Sequence, residues 1–195
     1  MRTRAFAVPA AVAMLISGLL ATGEARQSNG ERITYTALAV NLSTGSVPGR
    51  ATDRVDVTID RFSTPEEREQ LRVALIEQGE DALFKQLRGM EPVGRIRVND
   101  GVGWDLRYAA EVNEGGKRRI VFATDRPVGI AEAWRHPRSL DYRLMIGELR
   151  VGPDGEGEGQ LSPAARVSYE RGLRLIEVET LASQPIRLLQ VRPLG

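Results

Sequence analysis

The stretch that decides the fold is Val102-Gly103-Trp104-Asp105-Leu106-Arg107-Tyr108-Ala109-Ala110-Glu111-Val112-Asn113. Apolar side chains recur at every second position: Val102, Trp104, Leu106, Tyr108, Ala110 and Val112. Gly103, Asp105, Arg107, Ala109, Glu111 and Asn113 take the alternate places. A period of two marks a strand with one dry and one wet face. Such strands belong to antiparallel sheets, because parallel strands are normally covered on both sides. Asp105, Arg107 and Glu111 then share the exposed face with Arg95 and Arg97 of the preceding strand. Opposite charges across strands stabilise a solvated sheet surface; an arginine patch that binds an anionic ligand is the alternative.

Working outward, the same period appears at 54–62, where Val55, Val57 and Ile59 alternate with Arg54, Asp56, Thr58 and Asp60. In 140–151, Leu140, Tyr142, Leu144 and Ile146 share one phase, and Leu149 and Val151 take the other. The switch falls at Gly147, which predicts a β-bulge there. Further strands are expected at 33–42, 94–99, 117–124, 160–169, 173–180 and 185–192. Asn99-Asp100-Gly101, Glu114-Gly115-Gly116, Pro153-Asp154-Gly155 and Arg171-Gly172 supply turn chemistry between them. The exception is 64–88. Thr64 caps a helix, Pro65 fits its first turn and Glu67 completes a capping box. Gly79 ends it, and 81–88 forms a second short helix with Gly89 as its cap; a brief turn is expected at 129–135. The fold class is therefore mainly β: an antiparallel barrel or sandwich of about eight or nine strands with a short helical insert at about 64–88. The insert plugs one barrel end or covers one sheet face. Leu71, Leu75, Leu83, Phe84 and Leu87 are expected to pack on Val55, Val57, Ile59, Trp104, Leu106, Ile120 and Phe122 in one core.

Residues 1–25 read as a secretory signal. Arg2 and Arg4 form a basic head, an apolar run extends from Ala5 to Leu20, and Ala21, Gly23 and Ala25 are small residues suited to cleavage. The run is short and interrupted by Pro9, whereas a spanning helix needs roughly 20 strongly apolar residues. Residues 26–195 form a single β-rich domain of about 170 residues, enough for one buried core. The expectation is an exported protein, periplasmic or extracellular, with no membrane span after cleavage. The chain carries 27 basic and 26 acidic residues. That balance lacks the basic footprint of a nucleic-acid binder, so no nucleic-acid partner is expected. With no cysteine, disulfides, thiolate metal sites and cysteine nucleophiles are excluded.

His136 is the only histidine, so any catalytic triad or imidazole metal site would pass through it. It sits in Trp134-Arg135-His136-Pro137-Arg138, a polar loop between strands, and loops carry function more often than cores do. Asp125, Trp134, His136 and Arg138 are the candidate binding residues. No Gly-x-Ser-x-Gly or His-Glu-x-x-His motif occurs, so no catalytic residue, metal site or cofactor is assigned. The run Gly152 to Gly159 has the look of a calcium loop, but Asp154-Gly155 between alternating strands makes it a flexible hairpin tip by default. Asn41-Leu42-Ser43 fits a glycosylation acceptor, which matters only in a eukaryotic secretory route.

The strand Ile33–Leu42, the Arg54–Ser63 segment running into Thr64-Pro65-Glu66-Glu67, the Ala123-Thr124-Asp125-Arg126-Pro127 turn and the Glu148–Gly159 hairpin resemble an exported bacterial family known mainly as hypothetical proteins. The resemblance spans nearly all of the chain after residue 25 and implies an envelope or extracellular setting. It transfers no activity, cofactor or catalytic residue. The expectation is an exported non-enzymatic domain that binds or scaffolds an envelope component, its partner an unknown envelope protein or a small apolar ligand. The alternative is a carrier holding a small apolar ligand inside its barrel, and a third is a hydrolase that uses His136.

Overall fold

The structure, a computed structural model, describes residues 32–40, 52–126, 142–180 and 185–194. Their strands are β1 (Ile33–Val40), β2 (Thr52–Ile59), β3 (Gly94–Val98), β4 (Trp104–Leu106), β5 (Tyr108–Glu114), β6 (Lys117–Thr124), β7 (Leu144–Val151), β8 (Gly157–Glu170), β9 (Leu175–Thr180) and β10 (Ile186–Pro193). All pair antiparallel in one sheet, in the order β4-β3-β2-β1-β10-β8-β7-β6-β5, with β9 added to the far half of β8. The nine strands on that path curl into a nearly closed barrel. Between β2 and β3 come the helices α1 (Pro65–Val73) and α2 (Glu80–Gly89), joined by a wider, π-type turn at Ala74–Gln78.

Closure corrects the reading of 102–113 as one continuous strand. β4 pairs with β3 at one end of the path and β5 with β6 at the other, yet Arg107 alone separates them. Leu106 and Ala109 point into the barrel, while Tyr108 and Ala110 point outward. The chain changes face at Arg107 because one stretch must serve both sheet edges. Arg107 N–H donates to Ala123 O at 2.9 Å, and Val93 N–H donates to Leu106 O at 2.8 Å. Val102, assigned above to the apolar face, is 87% exposed in the β3–β4 connection. Glu111 is not on the wet face either. It lies on the barrel side with Ala109 and receives both guanidinium arms of Arg118, at 2.9 and 2.7 Å, near Tyr35. Burial pushes the Tyr35 phenol up in pKa, and the Arg118 charge pulls it partly back.

Two apolar clusters replace the single expected core. The first fills the barrel: Ile96, Leu106, Ile120, Phe122, Met145, Leu149 and Leu188 have no solvent exposure there. The second lies outside it, where Leu71, Leu75, Leu83 and Leu87 pack on Tyr108, Ala110, Ala123, Leu144, Ile146, Ala165, Val167, Ile176 and Val178, with Phe84 at its margin. The helices thus cover the outer face of β5 to β9 and do not touch the barrel lining they were expected to meet. The sheet is buried on both faces in this half, which is why Ile120-Val121-Phe122-Ala123 and Leu144-Met145-Ile146 are continuous apolar runs without alternation.

The same two-sidedness explains Gly147, where the predicted bulge is absent. The β6–β7 register runs without a shift from Arg118↔Val151 to Thr124↔Met145. Leu144 and Ile146 face the helices, and Leu149 and Val151 face the barrel, so the apolar phase changes with no extra residue. The irregularity is on the other side, where three steps of β8 (Ser162 to Ala165) oppose two steps of β7. Glycine is required at 147 because a Cβ there would lie 2.2 Å from Cζ of Phe122.

Local chemistry forms the insert as expected at its start. Thr64 Oγ1 accepts from Glu67 N–H at 3.2 Å, and Glu67 Oε2 accepts from Thr64 N–H at 2.8 Å. Gly79, at φ 89°, breaks the helix after the π-type turn and precedes α2. Gly89 is the last residue of α2 and not a cap beyond it; Met90 N–H closes the end on Leu87 O. The β5–β6 hairpin has the two left-handed glycines expected, Gly115 and Gly116. The glycine run is only partly a hairpin tip, since Gly157 and Gly159 already lie in β8. A Cβ at those positions would meet Arg150 O at 2.1 Å and Glu148 O at 2.4 Å. The predicted signal at 1–25, Asn41-Leu42-Ser43 and the turn at 129–135 lie outside the described residues.

Candidate functional site

Of the four residues singled out from the sequence, Trp134, His136 and Arg138 lie outside the described residues. Asp125, buried just after β6, lies 3.9 Å from Arg107 Nε and 3.7 Å from Arg126 Nε. Arg107 also donates to Met90 O at 2.7 Å, at the end of α2. Asp125 and Arg107 therefore fasten the helical insert to the barrel at the point where the chain changes face.

Two hollows of the described surface bear on function. One, of about 380 Å³, lies on the outer face of β1 to β3 and is bordered by Thr34, Thr58, Asp56, Arg95 and Arg97. Its charges answer one another across the strands. Asp56, 5% exposed, accepts from Thr36 Oγ1 at 2.9 Å and Arg97 Nη2 at 3.0 Å, and Arg95 lies 3.7 Å from Asp105. This is the cross-strand ion pairing of a solvated face, with its arginines already engaged.

The second hollow is apolar. A cavity of about 80 Å³ lies between the helical pair and the outer face of the sheet. Its roof comes from successive turns of the insert: Leu71 on α1, Leu75 in the π-type turn, and Leu83 and Leu87 on α2. Its floor is Val121 and Ala123 of β6, Leu144 and Ile146 of β7, Val167 of β8 and Ile176 of β9, with Tyr108 at the start of β5. Roof and floor are tied at the rim. Arg166 pairs with Glu80 at 2.8 Å, Arg143 pairs with Asp81 while its guanidinium stands 4.4 Å from the Phe84 ring centre, and Arg171 reaches the Ile76 and Glu77 carbonyls. A π-type turn often marks a functional position in a helix, and this one contributes Leu75 to the cavity roof.

Among the described residues, two of those lining the cavity carry polar side-chain groups. Burial pushes the Tyr108 phenol up to about 12, although the nearby Arg68 charge opposes the shift, so it is a neutral hydroxyl at ordinary pH. Among the described residues Arg68 is the one charged lining residue, and its Nε is shut off from solvent with no hydrogen-bond partner among them. Among the described residues the lining contains no carboxylate, imidazole or thiol. What the site offers is apolar contact and one cation, the makings of a binding site.

Sequence reasoning missed this cavity because it assigned both helix and strand stripes to one core. The available signal was the pair of unbroken apolar runs in β6 and β7, which announces a sheet covered on two sides. No family model, curated protein or solved structure matches the chain.

Proposed function

We propose that the protein is an exported, non-enzymatic binding domain of the bacterial envelope that holds a small apolar group between its helical pair and its sheet. The observation that carries this reading is the apolar cavity of about 80 Å³ between the helical pair and the sheet. Protein interiors leave few voids larger than a water molecule. An apolar hollow takes apolar guests; an enclosed one of about 150 Å³ accepts benzene, so this one, open on one side, suits a group of about three or four carbon atoms. A carrier reading fits this space better than the barrel interior, which Phe122, Met145 and Leu149 occupy without exposure. Export is supported by the basic head at Arg2 and Arg4, the apolar run to Leu20 and the small residues after it.

Native mass spectrometry of protein purified from its own host tests the proposal. A small apolar molecule should accompany the wild-type chain and be missing from Ala123→Met, whose longer side chain fills the cavity. Wild-type protein of bare mass, with xenon failing to bind beneath the helices in vitro, would overturn it.

A further inference from the structure

We infer that the group held in the cavity is the tail of a short carboxylic acid whose carboxylate pairs with Arg68, an inference that rests on the cavity being a binding site. Arg68, Leu71 and Leu75 are spaced three and four residues apart, so they share the helical face turned to the sheet. Glu66, an exposed acidic neighbour on α1, has its carboxyl held below the usual range by local hydrogen bonds first and by the Arg68 charge in addition, but the other two acidic residues of α1 are engaged elsewhere. Glu67 holds Arg61 through two contacts of 2.8 Å, and Glu69 holds Arg72 at 2.6 and 2.7 Å. The Arg68 Nε is left buried without an acceptor among the described residues, and Tyr108, kept neutral by its burial, supplies no negative charge. A guanidinium offers five donors in a fixed fork that a carboxylate matches with two parallel hydrogen bonds. A neutral apolar guest would fill the void and leave that donor unanswered; a short acid satisfies both walls and cation. The volume limits the tail to about three or four carbon atoms, the size of isovalerate.

The test is titration of the wild-type chain and of Arg68→Met and Arg68→Lys with isovalerate and with its neutral isostere isovaleramide, read by calorimetry and by amide chemical shifts. The wild type should bind the acid at least tenfold more tightly than the amide. Arg68→Met should erase that preference while keeping amide binding, and Arg68→Lys should retain part of it. Equal affinity of the wild type for acid and amide would overturn the inference and leave the cavity as a site for neutral guests. A preference for the acid that persists in Arg68→Met would overturn it equally. Failure of both probes to bind the wild type would bring down the binding-site reading itself.

Discussion

Gly147→Ala adds one methyl group to a crowded point of the barrel interior. The new Cβ would lie 2.2, 2.4 and 2.9 Å from Cζ, Cε2 and Cε1 of Phe122, distances that real Cβ atoms do not tolerate. The ring has no exposure, and its surroundings include Ile120, Met145 and Leu149, equally enclosed, so it has nowhere to swing. Overpacking of this kind costs about 1–3 kcal/mol. The 2.2 Å approach puts the cost in the upper half of that range; replacing glycine stiffens the unfolded chain and returns about 0.4–1 kcal/mol, leaving a net loss of about 1–2.6 kcal/mol. For a domain of this size each kcal/mol moves Tm by about 2–4 °C. Urea denaturation and thermal melts would measure it. Phe122→Leu removes the opposing atoms, so the Gly147→Ala/Phe122→Leu pair should be less destabilised than the sum of the single variants by about 1 kcal/mol or more. A neutral or stabilising Gly147→Ala, or strict additivity of the pair, would refute the claim that Phe122 dictates glycine at this position.

Leu75→Ala should destabilise by about 2–5 kcal/mol, since Leu75 is 3% exposed and its loss enlarges an existing void; a loss below about 1 kcal/mol would make the insert peripheral. Thr64→Ala removes one half of the capping box and should cost about 0.5–2 kcal/mol in chemical denaturation, with Thr64→Ser recovering most of it. The Tyr108 phenol titrates near 12 in the folded chain against about 10 when unfolded. Above pH 10 the unfolded state releases this proton first, so stability falls as pH rises from 10 toward 12. Tyr108→Phe should flatten that decline in pH-dependent melts.

The sequence made the strands legible wherever their environment was asymmetric. Val55, Val57 and Ile59 alternate cleanly because β2 faces the barrel on one side and solvated ion pairs on the other. The capping box at Thr64 and the Gly115-Gly116 turn were readable because a few neighbouring residues determine them. What was not legible depended on distant partners. The apolar period across 102–113 continues through Arg107, yet the two halves face opposite sides of the sheet, a change imposed by closure between β3 and β6. The phase change around Gly147 suggested an inserted residue, whereas two covered faces produce the same pattern. Of the candidate site residues, Asp125 lies beside Arg107, which reaches the end of the helical insert. The cavity could not be read from any one segment, because its roof comes from the helical insert and its floor from β5 to β9, brought together only by the fold.

The most direct measurement of the central claim is a crystal structure of the protein determined under xenon pressure. Xenon seeks dry apolar voids. The account predicts it beneath the helices, among Leu75, Leu87, Ala123 and Ile146, and absent from that place in Ala123→Met. Xenon inside the barrel beside Phe122, or no xenon beneath the helices, would contradict it.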